Sequence, residues 1–203
     1  ENLISIGSYA FYRCPISSII IPKKVISIGE SVFEGSELES IEFPESLSTI
    51  GSFCFSYSRK LIKIEFPSSI SAIPDYICFY CTKLTTIIIP ESITSIGDSA
   101  FDTCSKLTNV TIPNNVKSIG NSVFQKCQSV INIKIPFGVK KIGSYAFSIC
   151  DCLESITLPD SITDIGNGCF SSCISLKSII IPKKVTVISG VLLRYCRNLT
   201  YIE

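Results

Sequence analysis

Cysteine is the residue type with the most chemistry to offer in this chain, and its eleven copies follow a regular spacing. Most of them recur at one position of a repeating pattern, usually 23 residues apart: Cys14, Cys81, Cys104, Cys127, Cys150, Cys173 and Cys196. If each unit stacks on the previous one, neighbouring Cα atoms lie about 5 Å apart, which a disulfide can span. Side chains in one column point the same way, so we expect buried free thiols that pack as small apolar groups. Disulfides between a few units are the alternative.

The absence of histidine argues against catalysis and metal binding. The chain contains no histidine, which is the commonest general base near neutral pH and the commonest metal ligand. A Ser-His or Cys-His nucleophile is therefore excluded. The C-x-x-C pair formed by Cys78 and Cys81 has no second pair at zinc-binding spacing, and the repeat accounts for both residues. We predict a protein that is not an enzyme and that uses no cofactor or metal.

The cysteines belong to units of 23 residues that run from one end of the chain to the other. A column of prolines shows the period: Pro44, Pro67, Pro90, Pro113, Pro136, Pro159 and Pro182. The unit reads L-x-x-I-x-I-P-x-x-V-x-x-I-G-x-x-A-F-x-x-C, as in residues 107–127. A fixed period of about 20–29 residues opened by this leucine-isoleucine pattern is typical of a leucine-rich-repeat solenoid. Such units bury their apolar faces against one another, because none can do so alone.

Each unit predicts three structural segments. The I-x-I alternation predicts a short strand with one buried face, which the proline ends because it has no N–H to donate. The V-x-x-I that follows predicts a second short extended segment. Glycines such as Gly120 then turn the chain, either because a side chain would clash or because φ is positive. The next residues predict a helical or 3-10 turn, with Asp98, Asn121 or Ser144 as its cap and with alanine and phenylalanine pointing inward.

The fold class predicted by these segments is a mainly β repeat solenoid. It is a right-handed leucine-rich-repeat array of about nine rungs, with short parallel strands and short helical or 3-10 turns. Because the period is unbroken, we expect residues 1–203 to form a single continuous solenoid. Neither end resembles a polar cap, so we expect a fragment of a longer array whose uncovered ends can associate with one another.

The repeat unit is similar to the BspA-like leucine-rich repeat, the Treponema-type class of 23-residue units, over essentially the whole chain. The sequence departs from that pattern at Pro74, which replaces the turn glycine, and at Cys78, which replaces the phenylalanine. It departs again at Ser36 and Ser58, which replace the cysteine, and at Ser189 and Leu193 in the last full unit. The resemblance implies a surface antigen of the kind found on anaerobic bacteria and mucosal protozoan parasites. It also implies adhesion to host cells or matrix proteins, or protein binding more generally.

Composition narrows the range of partners. The formal net charge is +1 and the lysines are scattered, which argues against nucleic acid or an anionic bilayer as the main partner. No apolar run approaches the length of about 18 residues that spans a membrane, so we predict no membrane insertion within this segment. Two glycosylation sequons, at Asn109 and Asn198, permit a secreted route.

The candidate protein-binding face consists of the outward positions of the I-x-I segments, because a stacked sheet presents such side chains as a grid. Its residues are Ile20, Glu42, Lys63, Glu65, Ile88, Asn109, Thr111, Lys134, Thr157 and Ile180. Plain strand propensity is the structural alternative, since β-branched residues favour such positions whatever they touch. A second candidate surface is formed by tyrosines of the turn region: Tyr9, Tyr57, Tyr76, Tyr80, Tyr145 and Tyr195.

Two functions are compatible with a non-catalytic repeat scaffold. The first is a cell-surface or extracellular module for adhesion or host interaction, with a host cell-surface or extracellular-matrix protein as its partner. The second is an intracellular, cytoplasmic scaffold for protein–protein interactions, whose free cysteines would reflect a reducing compartment. The family resemblance favours the first, whereas the unpaired pattern of the cysteine column favours the second.

Overall fold

The computed structural model describes residues 2–203, which form a parallel-strand β-solenoid of about nine turns. The strands of these residues are two or three residues long and arise from the two segments predicted for each unit. In chain order they are β1 (Ser5–Ile6), β2 (Ser27–Ile28), β3 (Thr49–Ile50), β4 (Lys63–Glu65), β5 (Ala72–Ile73), β6 (Thr86–Ile88), β7 (Ser95–Ile96), β8 (Ser118–Ile119), β9 (Asn132–Lys134), β10 (Lys141–Ile142), β11 (Ser155–Thr157), β12 (Asp164–Ile165), β13 (Ser178–Ile179) and β14 (Tyr201–Ile202).

The V-x-x-I segments build the more regular ladder. Their strands form one sheet in the order β1-β2-β3 and another in the order β12-β10-β8-β7-β5, with equivalent residues such as Ile96 and Ile119 in register. The two sheets part at Pro74. At the same position in the next rung, Gly97 donates its N–H to the carbonyl of Ile73 at 2.9 Å. Proline has no such N–H, so this bond between rungs cannot form where Pro74 stands.

The I-x-I segments build a second ladder that is interrupted. Its strands pair as β4–β6, β9–β11 and β13–β14, and Ile64 is buried between the exposed Lys63 and Glu65. The prediction of a strand in every unit is wrong for residues 16–21, 38–43 and 107–112. In the last of these segments an isolated bridge joins Asn109 to Thr86. A strand needs a hydrogen-bonded partner, and residues 40–43 form no backbone hydrogen bond with β4 within the described chain.

The segment predicted as a helical or 3-10 turn is neither. Within one rung the N–H of Cys104 donates to the carbonyl of Phe101 at 3.2 Å, whereas the N–H of Phe101 donates to Val123 in the next rung at 2.9 Å. Alternate amides thus close local turns and bond neighbouring rungs. Two residues in each rung have positive φ, here Ser99 at 52° and Thr103 at 61°. A helix requires negative φ throughout, so hydrogen bonding between rungs has replaced helical hydrogen bonding here.

The capping residues act between rungs as well. Asp98 Oδ1 accepts the N–H of Asn121 at 2.7 Å, and Asn121 Oδ1 accepts the N–H of Ser144 at 2.9 Å. Each side chain therefore caps the following rung and not its own turn, contrary to the prediction. Gly120 precedes Asn121 and has no positive φ, but a Cβ atom there would lie 2.5 Å from Asp98 Oδ1. Of the two reasons considered for these glycines, close approach of the neighbouring rung is the correct one.

The core contains a column of stacked phenylalanine rings, as predicted. Ring centroids are 5.7 Å apart for Phe101 and Phe124, 5.6 Å for Phe124 and Phe147, and 5.7 Å for Phe147 and Phe170. All four side chains are almost completely buried. The stack thereby joins successive rungs through apolar contact where the backbone ladders are short.

Candidate protein-binding face

The predicted face is exposed along its whole length. All ten residues named from the sequence lie at exposed positions of the I-x-I segments, while the isoleucines between them point into the core. The parallel register sets Glu65 beside Ile88 and Lys134 beside Thr157. The outward side chains fall into two columns, one through Glu65 and Ile88 and one through Lys63, and they form ordered rows where β4, β6, β9 and β11 pair. The members from residues 16–21, 38–43 and 107–112 are exposed but lie outside the strands.

Four of the ten residues are brought together at one site. Glu42, Lys63, Glu65 and Ile88 line a groove of about 630 Å³ on the outward surface of the I-x-I segments. Lys63 Nζ lies 3.0 Å from Glu65 Oε2, so the groove's cation is paired within its own strand. Ile20, by contrast, lies in a rung near one end of the stack and is 92% exposed. The remaining residues are spread over the other rungs as single members of the columns.

The groove also contains two phenylalanines that the sequence analysis did not name. Phe43 and Phe66 occupy the inward position before the proline, and both line the groove. Their rings stack with centroids 6.4 Å apart, wider than the spacing in the core phenylalanine column. Most units carry isoleucine at this position. Two successive aromatic residues there were the signal that could have revealed the groove.

The turn region carries a cluster of aromatic side chains on two adjacent rungs. Tyr57, Tyr76 and Tyr80 were named from the sequence, and Phe53 and Phe79 join them. The ring centroids are 4.5 Å apart for Phe53 and Tyr76 and 5.5 Å for Tyr57 and Tyr80. Because the rings cover one another's faces, this second candidate surface offers edges and hydroxyl groups more than open aromatic faces.

The cysteine column is a ladder of buried hydrogen-bond donors. Cys127 Sγ donates to the carbonyl of Phe101 in the preceding rung at 3.2 Å. In a unit without the cysteine, Ser58 Oγ donates to the carbonyl of Phe33 at 2.9 Å. This position therefore favours a small side chain with one proton to donate, which explains why both serine and cysteine occur there.

Burial makes these thiols poor nucleophiles. It raises the pKa of Cys54 and of Cys173 from 9.0 to about 12, so both stay protonated at neutral pH. It also raises the pKa of Cys78 well above its usual value, with Cys81 as a further contributor. All eleven cysteines are free in the structure, and Cys152 is exposed. No group of three or more His, Cys, Asp or Glu side chains within residues 2–203 is arranged to hold a metal ion.

The part of the chain that the structure describes has no helix with the length and apolarity to cross a bilayer. A search among curated proteins gives no match. Solved structures do match. A leucine-rich repeat protein from Bacteroides ovatus is 28% identical, with a TM-score of 0.67 over 98% of this chain and 64% of that one. This chain therefore spans less than two thirds of that protein's length.

Two further structures extend the comparison. The T. pallidum leucine rich repeat protein is 27% identical, with a TM-score of 0.65 over 86% of this chain and 72% of that one. A leucine rich cell surface protein from Faecalibacterium prausnitzii is 23% identical, with a TM-score of 0.55 over 99% of this chain and 83% of that one. At this identity, the similarity to the F. prausnitzii protein shows a common fold and nothing further.

The family is shown by the sequence of the repeats. The model of the BspA type leucine rich repeat region, in six copies, matches residues 4–131 and 117–203. These two regions overlap and together cover nearly the whole chain. The chain belongs to the BspA-type leucine-rich-repeat family.

Proposed function

We propose that this chain is a non-catalytic protein-binding module of the cell surface, acting in adhesion or host interaction through its I-x-I face. The observation that carries the proposal is the ordered, exposed pair of columns on that face. They combine apolar side chains such as Ile88 and Ile180 with charged ones such as Lys134. A mixed surface on a rigid framework suits protein recognition, because little side-chain and backbone order has to be created on binding.

The proposed partner is a protein of the host cell surface or of the extracellular matrix. Support comes from the family and from the F. prausnitzii protein of the same fold, which is described as a cell surface protein. The scattered lysines and the net charge of +1 favour protein over nucleic acid. The proposed location is accordingly the cell surface or the extracellular space.

A binding assay with two matched variants tests this proposal. The purified polypeptide is tested on mucosal epithelial cells by flow cytometry and on a panel of matrix proteins by surface plasmon resonance. Thr111→Arg combined with Thr157→Arg adds bulk and charge to the I-x-I face at exposed positions, so the fold should tolerate both changes. Binding should weaken at least about tenfold, as for the loss of a contact at the centre of an interface.

The control alters the turn region instead. Tyr57→Arg combined with Tyr145→Arg changes two exposed side chains of the second candidate surface. This variant should bind as the unaltered protein does. If it loses binding while the threonine variant keeps it, the binding surface is the turn region. If the unaltered protein binds no cell or matrix protein, the adhesion proposal is wrong.

An intracellular scaffold is the second candidate, and the free, buried cysteines favour it because reducing compartments preserve thiols. Protein taken from its native source, denatured without reductant, should then titrate close to eleven thiols, and reductant should leave the native melting temperature unchanged. A count far below eleven would indicate disulfides and an oxidising compartment, which favours the extracellular proposal.

A further inference from the structure

The groove beside β4 has properties that define its ligand more closely. We propose that it binds an extended peptide segment of the partner protein, in which lysine or arginine side chains flank an aliphatic or aromatic one. This inference rests on the proposed protein-binding function and assigns the chemistry of the partner at one part of the face. Three features of the groove support it: an unpaired stretch of strand edge, an apolar floor and an acidic rim.

The unpaired stretch of strand edge belongs to β4. The N–H of Thr86 donates to the carbonyl of Ile62 at 3.3 Å, and the N–H of Phe66 donates to the carbonyl of Ile88 at 3.0 Å. Backbone groups of successive strand residues point to opposite sides, so those of Lys63 and Glu65 point away from β6. They face residues 40–43, which form no backbone hydrogen bond with β4 within residues 2–203. The N–H of Ile62 donates to the carbonyl of Glu39 at 2.8 Å just before β4, so the rungs meet there and no further strand fits between them. Along residues 63–65 the unpaired backbone groups of Lys63 and Glu65 remain as hydrogen-bond partners for an extended segment that lies over the groove.

The floor of the groove is apolar. Phe43, Phe66 and Pro67 line it, and Ile88 is 39% exposed at its side. Its volume of about 630 Å³ lies within the range of about 300–1,000 Å³ that ligand clefts occupy. Alternate side chains of an extended peptide point to one face, so one apolar side chain of the peptide would rest against Phe43 and Ile88. Phe66 is only 3% exposed and supports Phe43 by stacking.

The rim of the groove is acidic. Among its lining residues, Glu42, Glu45 and Glu65 supply three carboxylates against the ammonium group of Lys63. Lys63 is already paired with Glu65 at 3.0 Å, which leaves Glu42 and Glu45 without a cation among the lining residues. A segment with cationic side chains on either side of the apolar one complements this arrangement, and an acidic segment is repelled by it.

Fluorescence anisotropy with two synthetic probes tests the assignment on the whole polypeptide. The first probe is a fluorescein-labelled nonapeptide of alternating lysine and leucine with a central phenylalanine. The second has glutamate in place of each lysine. The cationic peptide should bind, and its affinity should fall as salt is raised because the carboxylates of the rim are exposed. The acidic peptide should not bind.

A pair of charge-matched variants locates the site. Glu42→Gln combined with Glu45→Gln should raise the Kd of the cationic peptide by about fivefold or more, since each exposed ion pair contributes modestly. Glu154→Gln combined with Asp160→Asn removes the same net charge from exposed positions of another rung and should leave the Kd unchanged. Hydrogen exchange should show that the bound peptide protects the amides of Lys63 and Glu65.

Several results would overturn the assignment. They are no binding of the cationic peptide, equal binding of both peptides, equal weakening by both variants, or no protection of the β4 amides. If the polypeptide self-associates and Glu42→Gln with Glu45→Gln makes it monomeric, a second copy occupies the groove and the assignment is wrong. The function proposed above can be judged separately, because it depends on the effect of Thr111→Arg and Thr157→Arg on cell binding. Failure of the peptide with cell binding intact would reject the groove ligand alone.

Discussion

At the scale of single residues, side chains at equivalent positions of the repeat make equivalent contacts. The serine at position 58 and the cysteine at position 127 make the same hydrogen bond to a phenylalanine carbonyl in the rung before. Thiol and hydroxyl groups that could react at an exposed site thus pack in the core and donate hydrogen bonds to buried carbonyls. The energetic consequences can be tested one residue at a time.

Phe124 is the most direct test of the core. It is 1% exposed and stacks between Phe101 and Phe147. Phe124→Ala should lower the free energy of unfolding by about 3–5 kcal/mol, because it removes apolar contacts and leaves a cavity. Urea denaturation followed by circular dichroism measures the change. Phe137→Ala is the matched control, since Phe137 is 77% exposed and its loss should have little effect. Equal effects of the two changes would contradict the assignment of the core.

The buried thiol of Cys54 should make stability depend on alkaline pH. Burial raises its pKa from 9.0 to about 12, whereas in the unfolded chain it loses its proton near 9.0. Below pH 9 both states are protonated and the stabilising effect is fully present. Between pH 9 and 12 the unfolded state binds fewer protons, so stability falls by about 1.4 kcal/mol per pH unit for this thiol.

Comparison with Cys54→Ala isolates the contribution of this thiol from other groups that titrate in the same range. Between pH 8 and pH 10.5 the unaltered protein should lose about 2 kcal/mol more stability than the variant, as judged by urea denaturation. Equal losses in the two proteins would mean that Cys54 is accessible to solvent or already ionised in the folded state.

At the scale of the element, the distance between neighbouring rungs determines which residue fits the turn-glycine position. A Cβ atom at Gly143 would overlap with the backbone of Gly120 in the rung before, whereas at Gly7, in the same column, it would meet nothing within 4 Å. Gly143→Ala should therefore destabilise the protein by about 1–3 kcal/mol or more, because backbone atoms must shift. Gly7→Ala should be close to neutral. Thermal melts of both variants provide the comparison, and a stable Gly143→Ala protein would show that the rungs can separate at little cost.

The departures from the repeat have local structural effects. Ser189 stands where most units have the turn glycine, and its Oγ donates to the carbonyl of Ile165 at 2.7 Å. The equivalent of the V-x-x-I strand is absent from that rung, and Val187 and Ile188 are 71% and 60% exposed. Pro74 likewise separates two sheets. Thus single substitutions in the glycine column mark where the regular ladder stops.

At the scale of the whole molecule, we propose that residues 1–203 form one continuous solenoid and that this polypeptide associates end to end. The terminal rungs expose apolar side chains, with Ile4 57% and Ile188 60% exposed. Stacked rungs present unpaired backbone groups at their ends, which favours further stacking. Light scattering should show a mass that rises with concentration, and Val187→Lys combined with Ile188→Lys should reduce it. A mass that stays monomeric at high concentration would contradict the prediction.

The sequence by itself determined the period, the columns and the family. Proline, glycine, phenylalanine and cysteine recur at 23-residue intervals, and each repeats its role because stacking gives equivalent residues equivalent surroundings. For the same reason the inward phenylalanines and the ten outward residues of the face could be assigned to core and surface correctly. Their role in binding remains a prediction.

Only the tertiary structure decided how neighbouring rungs meet. The turns were predicted as helical, yet their amides alternate between local turns and bonds to the next rung, as Phe101 and Cys104 show. The groove was not foreseen either, because it depends on the wide stacking of Phe43 on Phe66 and on the unpaired edge of β4. Hydrogen bonds between rungs join residues more than twenty positions apart, and their geometry depends on the spacing of two backbones. A repeat motif states which residues are equivalent, but it does not state that spacing.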